Sequence, residues 1–241
     1  KHACKLALLD LRENFPKELT KLKSIGVAGH MHGAVLLDKL HSPVRPCILW
    51  NDTRSYEEAQ RLDSLPKVRD ISGNIVFPGF TAPKLLWVKN NEPDIFKKIK
   101  TVVLPASYLN TWLIGAPFAD MSDCAGTSWL DVKLRKWSEY LINSSDMQIE
   151  QMPKLVEGNQ IAGQLRTDLA SELGLPNDVT IVGGAGDNAA AACGVGAINE
   201  GQGLVSLGTS GVLLISRNQC KPFPDAAVHT FCHAIPDKWY Q

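Results

Sequence analysis

The sequence has no excess of charge of either sign. Lysine plus arginine number 25 and aspartate plus glutamate number 25, a formal net charge of zero over 241 residues. Without a cationic surplus there is no general electrostatic affinity for nucleic acid or anionic lipid. Long apolar stretches are missing too: no run approaches the roughly 20 residues needed to cross a bilayer. None of the six cysteines, Cys4, Cys47, Cys124, Cys193, Cys220 and Cys232, falls in a CxxC pair. Their spacings fit neither a zinc knuckle nor a compact disulfide framework. Several lie among apolar or small residues, as buried free thiols do, which points to a reducing, cytoplasmic setting. Internal repeats and low-complexity segments are absent. Lys1, not methionine, opens the sequence and no signal-peptide pattern follows it. A piece of a longer chain, or a processed one, is therefore expected.

What is present is an ordinary globular composition. Hydrophobic residues make up 44% and charged residues 21%, close to the averages for soluble proteins. The length suffices for one large domain or two small ones. A helical amphipathic pattern runs to about Leu22. Strands are expected at "SIGVAG" and "AVLLD", on either side of the polar knot Gly29-His30-Met31-His32-Gly33, and at "RPCILW", ending at Trp50. Asp52 or Thr53 is placed to cap a helix over 56–65. "APKLLWVKNN" reads as a helix with Pro83 in its first turn and Asn90 and Asn91 at its end. "TVVLP" is a strand, "SYLNTWLIG" a helix closed by Gly115, and "DLASELG" a helix closed by Gly174. "VTIVGG" reads as a buried strand leading into the small-residue helix "DNAAAACGVG", and "GLVSL" and "VLLIS" as strands joined by "GTSG". The alternation of strands and helices defines an α/β class. The densest loop pattern, 151–163, is expected to separate two sub-domains. His229 and His233 lie four apart and would hold a metal only on a helix, but "AVHTFCHAIP" is β-branched and short.

Two loops carry chemistry. In "VTIVGGAGDN" an apolar strand runs through glycines into a helix. The glycines permit a sharp turn and close approach of a ligand. Asp187 then stands at a helix N-terminus, which favours its ionised form. A carboxylate held ionised at the rim of a cleft is a candidate general base, and the plain alternative is a helix cap. The loop also matches GxGxxA through Gly184, Gly186 and Ala189, the dinucleotide fingerprint. Against that reading, Asp187 would face the pyrophosphate, and no acidic residue ends the next strand. The second loop, Gly208-Thr209-Ser210-Gly211, offers backbone N–H groups and two hydroxyls, a phosphate cradle, or else an ordinary glycine-rich hairpin. A carboxylate loop and a phosphate-type hairpin about twenty residues apart suggest phosphoryl transfer.

At these residues the sequence resembles the FGGY family of carbohydrate kinases, in its xylulose-phosphorylating branch. "GFTAPKLLWVKNNEP" (79–93) is similar to the first family signature, with Lys84, Trp87 and Asn91 in register. "GAGDNAAAACGVG" is similar to the segment carrying the family's aspartate, and "LVSLGTSGV" to its second phosphate loop. "GHMHGAVLLD", "ILWNDTRS", "DMSDCAGTSWLDV" and "AVHTFCHAIP" follow the family in the same order. The likeness covers almost the whole chain from Ser24 onward.

The resemblance implies a ribonuclease-H-like, actin-like α/β fold, a mixed sheet flanked by helices. It implies that 1–200 is most of an N-terminal sugar-binding domain and 201–241 the truncated start of a nucleotide-binding one, with the boundary near 199–203. The family's first phosphate loop would precede Lys1, and most of the adenosine pocket would follow Gln241. The implied activity is ATP-dependent phosphorylation of D-xylulose to D-xylulose 5-phosphate with magnesium. Asp187 matches the catalytic base. Asn188, Met31 and His32 match sugar-binding positions, and for His32 a backbone-satisfied core histidine is the alternative. Trp50 matches a ring packed on the substrate's apolar face, against plain core packing. Gly208, Thr209 and Ser210 match positions at the nucleotide phosphates. Lys84 and Trp87 read as structural. Asp52, Arg54, Asp120 and Asp123 read as local ion pairs or turns. His30 stands where many relatives carry glutamine. Dimers are common in the family. The rivals are another kinase of the family, acting on ribulose, glycerol or a heptulose, a sugar-binding fragment without phosphoryl transfer, and, more distantly, an oxidoreductase.

Overall fold

Short strands, paired mostly with partners far away in the chain, organise this protein. The computed structural model describes residues 1–208 and 211–241. In chain order the strands are β1 (Ser24–Ile25), β2 (Val35–Leu37), β3 (Thr101–Val103), β4 (Phe118–Asp120), β5 (Leu130–Asp131), β6 (Lys136–Trp137), β7 (Lys154–Val156), β8 (Ile161–Gln164), β9 (Thr180–Val182), β10 (Gly203–Leu207), β11 (Gly211–Arg217), β12 (Phe231–Cys232) and β13 (Trp239–Tyr240). They form a three-stranded sheet, β1-β9-β8, and a four-stranded sheet, β10-β11-β13-β12. Two-stranded pairs β2-β3, β4-β7 and β5-β6 complete the set. Parallel pairing (β1 with β9, β4 with β7) coexists with antiparallel pairing, so the class is mixed α/β.

The β1-β9 pair positions the site. Ser24 faces Thr180 and Ile25 faces Ile181 in parallel register, and an isolated parallel bridge joins Ala28 to Ala185. Both chains therefore leave the sheet side by side and in the same direction. One enters the loop holding His30, Met31 and His32; the other enters the helix Asp187–Gly194. In α/β sheets, crevices at the carboxyl ends of parallel strands are where ligands bind. The crossing is tight at Gly184, which has φ +80°, and a Cβ there would meet the Val27 carbonyl oxygen at 2.0 Å. Only glycine fits both constraints.

Alanine explains how the Asp187–Gly194 helix seats itself. Ala189 and Ala192, three apart and so on one face, are fully buried. They pack in a cluster with Phe80, Leu104, Leu214, Phe231 and Tyr240. A second cluster gathers Leu36, Leu85, Leu86, Trp129 and Ile142, and a third gathers Leu113, Leu169, Leu173, Val179 and Ile181 behind β9.

Several sequence expectations need correction. "RPCILW" forms no strand; Ile48 makes only an isolated bridge to Ala34, because Pro46 removes a donor a ladder requires. Of "SIGVAG" only Ser24–Ile25 is strand. The helix after Trp50 is Tyr56–Asp63, and Ser55 is its N-cap rather than Asp52 or Thr53. The segment 151–163 is not one continuous loop: it holds β7 and the start of β8, which pair with β4 and β9. Its polar composition conceals two strands whose partners lie elsewhere in the chain. His229 and His233 flank β12 and share no helix. All six cysteines are free, with Cys124 and Cys232 buried.

Candidate active site

The two loops leaving β1 and β9 frame a cleft of about 410 Å³, lined by His30, Met31, His32, Trp50, Asp187, Asn188 and Val212. Met31, His32, Trp50, Asp187 and Asn188, singled out from the sequence, thus meet in one place. Gly208 is exposed at the end of β10 and does not line the cleft. Thr209 and Ser210 lie outside the described residues.

His32 is fixed from three directions. Its backbone is left-handed, φ 66°. Its carbonyl oxygen accepts from Thr81 Oγ1 (3.1 Å) and Lys84 Nζ (2.9 Å). Its ring lies flat on Phe80, with centroids 4.5 Å apart and planes 12° from parallel. Ring Nδ1 is 2.8 Å from the Gly126 carbonyl oxygen, which can only accept, so Nδ1 carries the hydrogen. Nε2 is left as a hydrogen-bond acceptor. Burial drives the ring's pKa down to about 4, against the opposing Gly126 bond, with Lys84, His229 and His30 pushing the same way as burial. The imidazole is accordingly neutral at physiological pH. No larger residue replaces Gly126, since a Cβ there would sit 2.4 Å from the ring.

The other walls follow the same logic. Trp50 is 58% exposed, so it is not a core residue. Its backbone N–H donates to His30 Nε2 at 3.3 Å, and burial lowers the His30 pKa. Met31 is buried, with its sulfur 3.8 Å from the Tyr240 hydroxyl. Asp187 is exposed and is the first residue of its helix, with Gly186 at the N-cap position. Its Oδ1 accepts from the Asn188 backbone N–H (2.8 Å) and from Asn188 Nδ2 (3.3 Å). The carboxylate is exposed and opens onto the cleft.

Behind the walls lie Lys84 and Asp120, in the structural and turn roles their sequence context suggests, and Asp123, which among the described residues makes neither the expected ion pair nor a turn bond through its carboxyl. Lys84 is fully buried and donates to the Gly79 carbonyl at 2.6 Å as well as to His32; burial pushes its ammonium down to about 8. Asp120 caps the short helix Met121–Cys124, accepting from the N–H groups of Ser122 and Asp123. Asp123 is fully buried, and neither of its carboxyl oxygens has a partner among the described residues. Burial, then the nearby Asp120 and Asp187, hold that carboxyl well above the usual carboxylate range. Asp52 and Arg54 form a local ion pair at 2.7 Å, as their spacing suggests. Burial of these supports is a tertiary property with no periodic signal. Only the chemical improbability of a lysine and two aspartates in apolar segments hints at it.

The fold is that of actin-like sugar-kinase domains. A crystal structure of a glycerol kinase from Plasmodium falciparum with ADP superposes with TM-score 0.84 over 97% of this chain and 49% of that one, at 20% identity, a likeness of fold alone. The chain belongs to the FGGY family of carbohydrate kinases: the profile of that family's N-terminal domain matches residues 8–194. A crystal structure of a "xyloylose kinase" from Brucella ovis is 55% identical, with TM-score 0.97, covering 99% of this chain and 49% of that one. The xylulose kinase of Escherichia coli is 47% identical over 223 residues, 92% of this chain and 46% of that protein. This chain therefore spans about half the length of the curated relatives it matches. No helix among the described residues is long and apolar enough to cross a membrane.

Proposed function

We propose that the protein is an ATP-dependent sugar kinase that converts D-xylulose to D-xylulose 5-phosphate, and that this chain supplies its sugar pocket and general base. The observation that carries the proposal is the convergence of His32, Met31, Trp50, Asp187 and Asn188 in one cleft at the ends of two parallel strands. The names of the relatives from Escherichia coli and Brucella ovis support xylulose as the sugar.

In this reading His32 Nε2 accepts a hydrogen bond from a sugar hydroxyl, Asn188 adds a second polar contact, and the Trp50 ring covers the apolar face of the sugar. Asp187 takes the proton from the terminal hydroxyl as that oxygen bonds to the γ-phosphorus. The bond from the γ-phosphorus to the β,γ-bridging oxygen breaks, and ADP leaves. Gly208, Thr209 and Ser210 hold nucleotide phosphates through the β10-β11 turn. Residues 1–200 form the sugar-binding domain, and 201–241 begin the nucleotide-binding one. A magnesium ion needs only one or two protein carboxylates besides phosphate oxygens and water. Among the described residues no three His, Cys, Asp or Glu side chains converge, and Asp187 is the carboxylate of the cleft, a donor set that fits an ion arriving on nucleotide. Such an ion neutralises phosphate charge. The protein acts in the cytoplasm, where free thiols persist, as a monomer or homodimer.

A second reading is sugar binding without phosphoryl transfer: Gly208 lies outside the cleft lining that gathers His32, Trp50 and Asp187. Two measurements separate the readings. Calorimetry on this chain gives D-xylulose affinity in both; ribulose or glycerol binding in its place would reassign the sugar. Coupled ADP release is then measured on the chain extended to its relatives' length. Asp187→Ala is expected to lower kcat there by about 10²–10⁴-fold while leaving xylulose affinity within a few-fold. Near-normal turnover in that variant removes Asp187 as the base.

A further inference from the structure

A buried relay runs from the protein interior to the backbone just before Asp187. Asp120 is 2% exposed and Ser122 is fully buried. The Ser122 hydroxyl donates to Asp120 Oδ1 at 2.5 Å. The same oxygen, Ser122 Oγ, accepts from the backbone N–H of Gly186 at 3.0 Å. A hydroxyl has one proton to give. Because Asp120 takes it, the lone pairs of Ser122 are turned toward Gly186. Asp120 is itself locked by the N–H groups of Ser122 (2.9 Å) and Asp123 (3.1 Å). On its other side Gly186 abuts Met31, where a Cβ would come within 3.0 Å of the sulfur.

The geometry points to Ser122 as a positioning residue for Asp187: oriented by Asp120, it clamps the Gly186 amide and so sets where the following carboxylate sits relative to the cleft. The inference rests on Asp187 being the base. Three features favour a positioning role over a generic buried contact. The bond spans 64 positions of sequence, so it ties the Met121–Cys124 helix to the Asp187–Gly194 helix rather than satisfying a local turn. It reaches the N-cap residue, whose backbone fixes the direction of the first helical side chain. And the Asp187 side chain bonds only to its neighbour Asn188 among the described residues, so its position depends on the backbone beneath it. Displacements of about 1 Å at a reacting group cost rate out of proportion to binding.

The first measurement is independent of turnover. In this chain, Ser122→Ala should speed hydrogen exchange at the Gly186 amide at least tenfold while leaving the amides of the Tyr56–Asp63 helix unchanged. The second uses the chain extended to its relatives' length. Ser122→Ala should lower kcat by tenfold or more with the KM for D-xylulose within twofold. Added to Asp187→Ala, it should cost less than a further twofold, because a residue acting through Asp187 has nothing left to position. Ser122→Cys, which keeps the side-chain volume and weakens both bonds, should lower kcat in the same direction and guards against loss of fold in the alanine variant. An unchanged Gly186 amide, or an equal loss of kcat with and without Asp187, overturns the inference. If Asp187→Ala alone retains turnover, the base assignment falls instead, and the exchange result still reports whether the clamp exists.

Discussion

His32 shows how a single side chain acquires a defined chemical role from its surroundings. Stacking, a backbone acceptor and burial together remove its charge and choose its tautomer. An exposed histidine would charge as pH falls through about 6.5 and lose its acceptor nitrogen. His32, with its pKa near 4, does not. The affinity for D-xylulose, measured by calorimetry, is therefore expected to change less than about twofold between pH 7.5 and 5.5. The same shift makes acid costly to the fold. The folded ring resists protonation while the unfolded one accepts it, so the His32 contribution to stability is full above about 6.5 and is lost as pH falls toward 4. Asp123 has the opposite sign: its raised pKa makes burial easiest in acid and expensive near neutrality. Asp187 was legible because its glycine-rich loop has little else to explain it, whereas Met31, His32, Trp50 and Asn188 were reached only through the resemblance to the family. Ser122 and Asp123 were not legible, since each is defined by what surrounds it in three dimensions.

At the scale of elements, legibility followed the range of the interactions. The helix Asp187–Gly194 and the strand before it were readable because a local pattern, an apolar run, glycines, then alanines, specifies both. The expected strand at "RPCILW" failed because Pro46 outvoted its apolar residues. The strands hidden in 151–163 escaped notice because their existence depends on β4 and β9, not on their own composition. The β9-to-helix turn is the element with least tolerance. Gly184→Ala combines a left-handed backbone with a Cβ 2.0 Å from the Val27 carbonyl oxygen. The conformational part alone costs about 1–3 kcal/mol, and the clash must separate β9 from the chain following β1. Chemical denaturation should show destabilisation beyond that range, accompanied by loss of D-xylulose binding, because both walls of the cleft hang from this crossing.

For the molecule as a whole, the hairpin β10-β11 stands apart from the rest. Its inner face carries Leu214, buried with Phe231 and Tyr240. Its outer face presents Val205, Leu207 and Leu213, each more than 60% exposed, with Val205 directly opposite Leu213. A strand pair apolar on both faces is a sheet built to be covered twice. Left open, such a face promotes association. Sedimentation of this chain is expected to show concentration-dependent self-association, and Leu207→Lys with Leu213→Lys should reduce it without altering D-xylulose affinity.

The pairing of β1 with β9 also governs how the protein comes into being. Thr180 Oγ1 donates to the Lys23 carbonyl, 157 positions away, and the cleft exists only where these two segments meet. Loops closed over such distances form late, since their entropy must be lost before any contact is gained. A ribosome emitting this chain from its N-terminus would release the His30–His32 loop early and leave it without its opposite wall until residue 187 emerged. Binding competence would then arrive in one step, once residue 187 has emerged. Until then, Ile25 on β1, which packs with Val179 and Ile181 in the finished fold, would depend on other cover, the stage at which chaperone demand and misfolding are greatest.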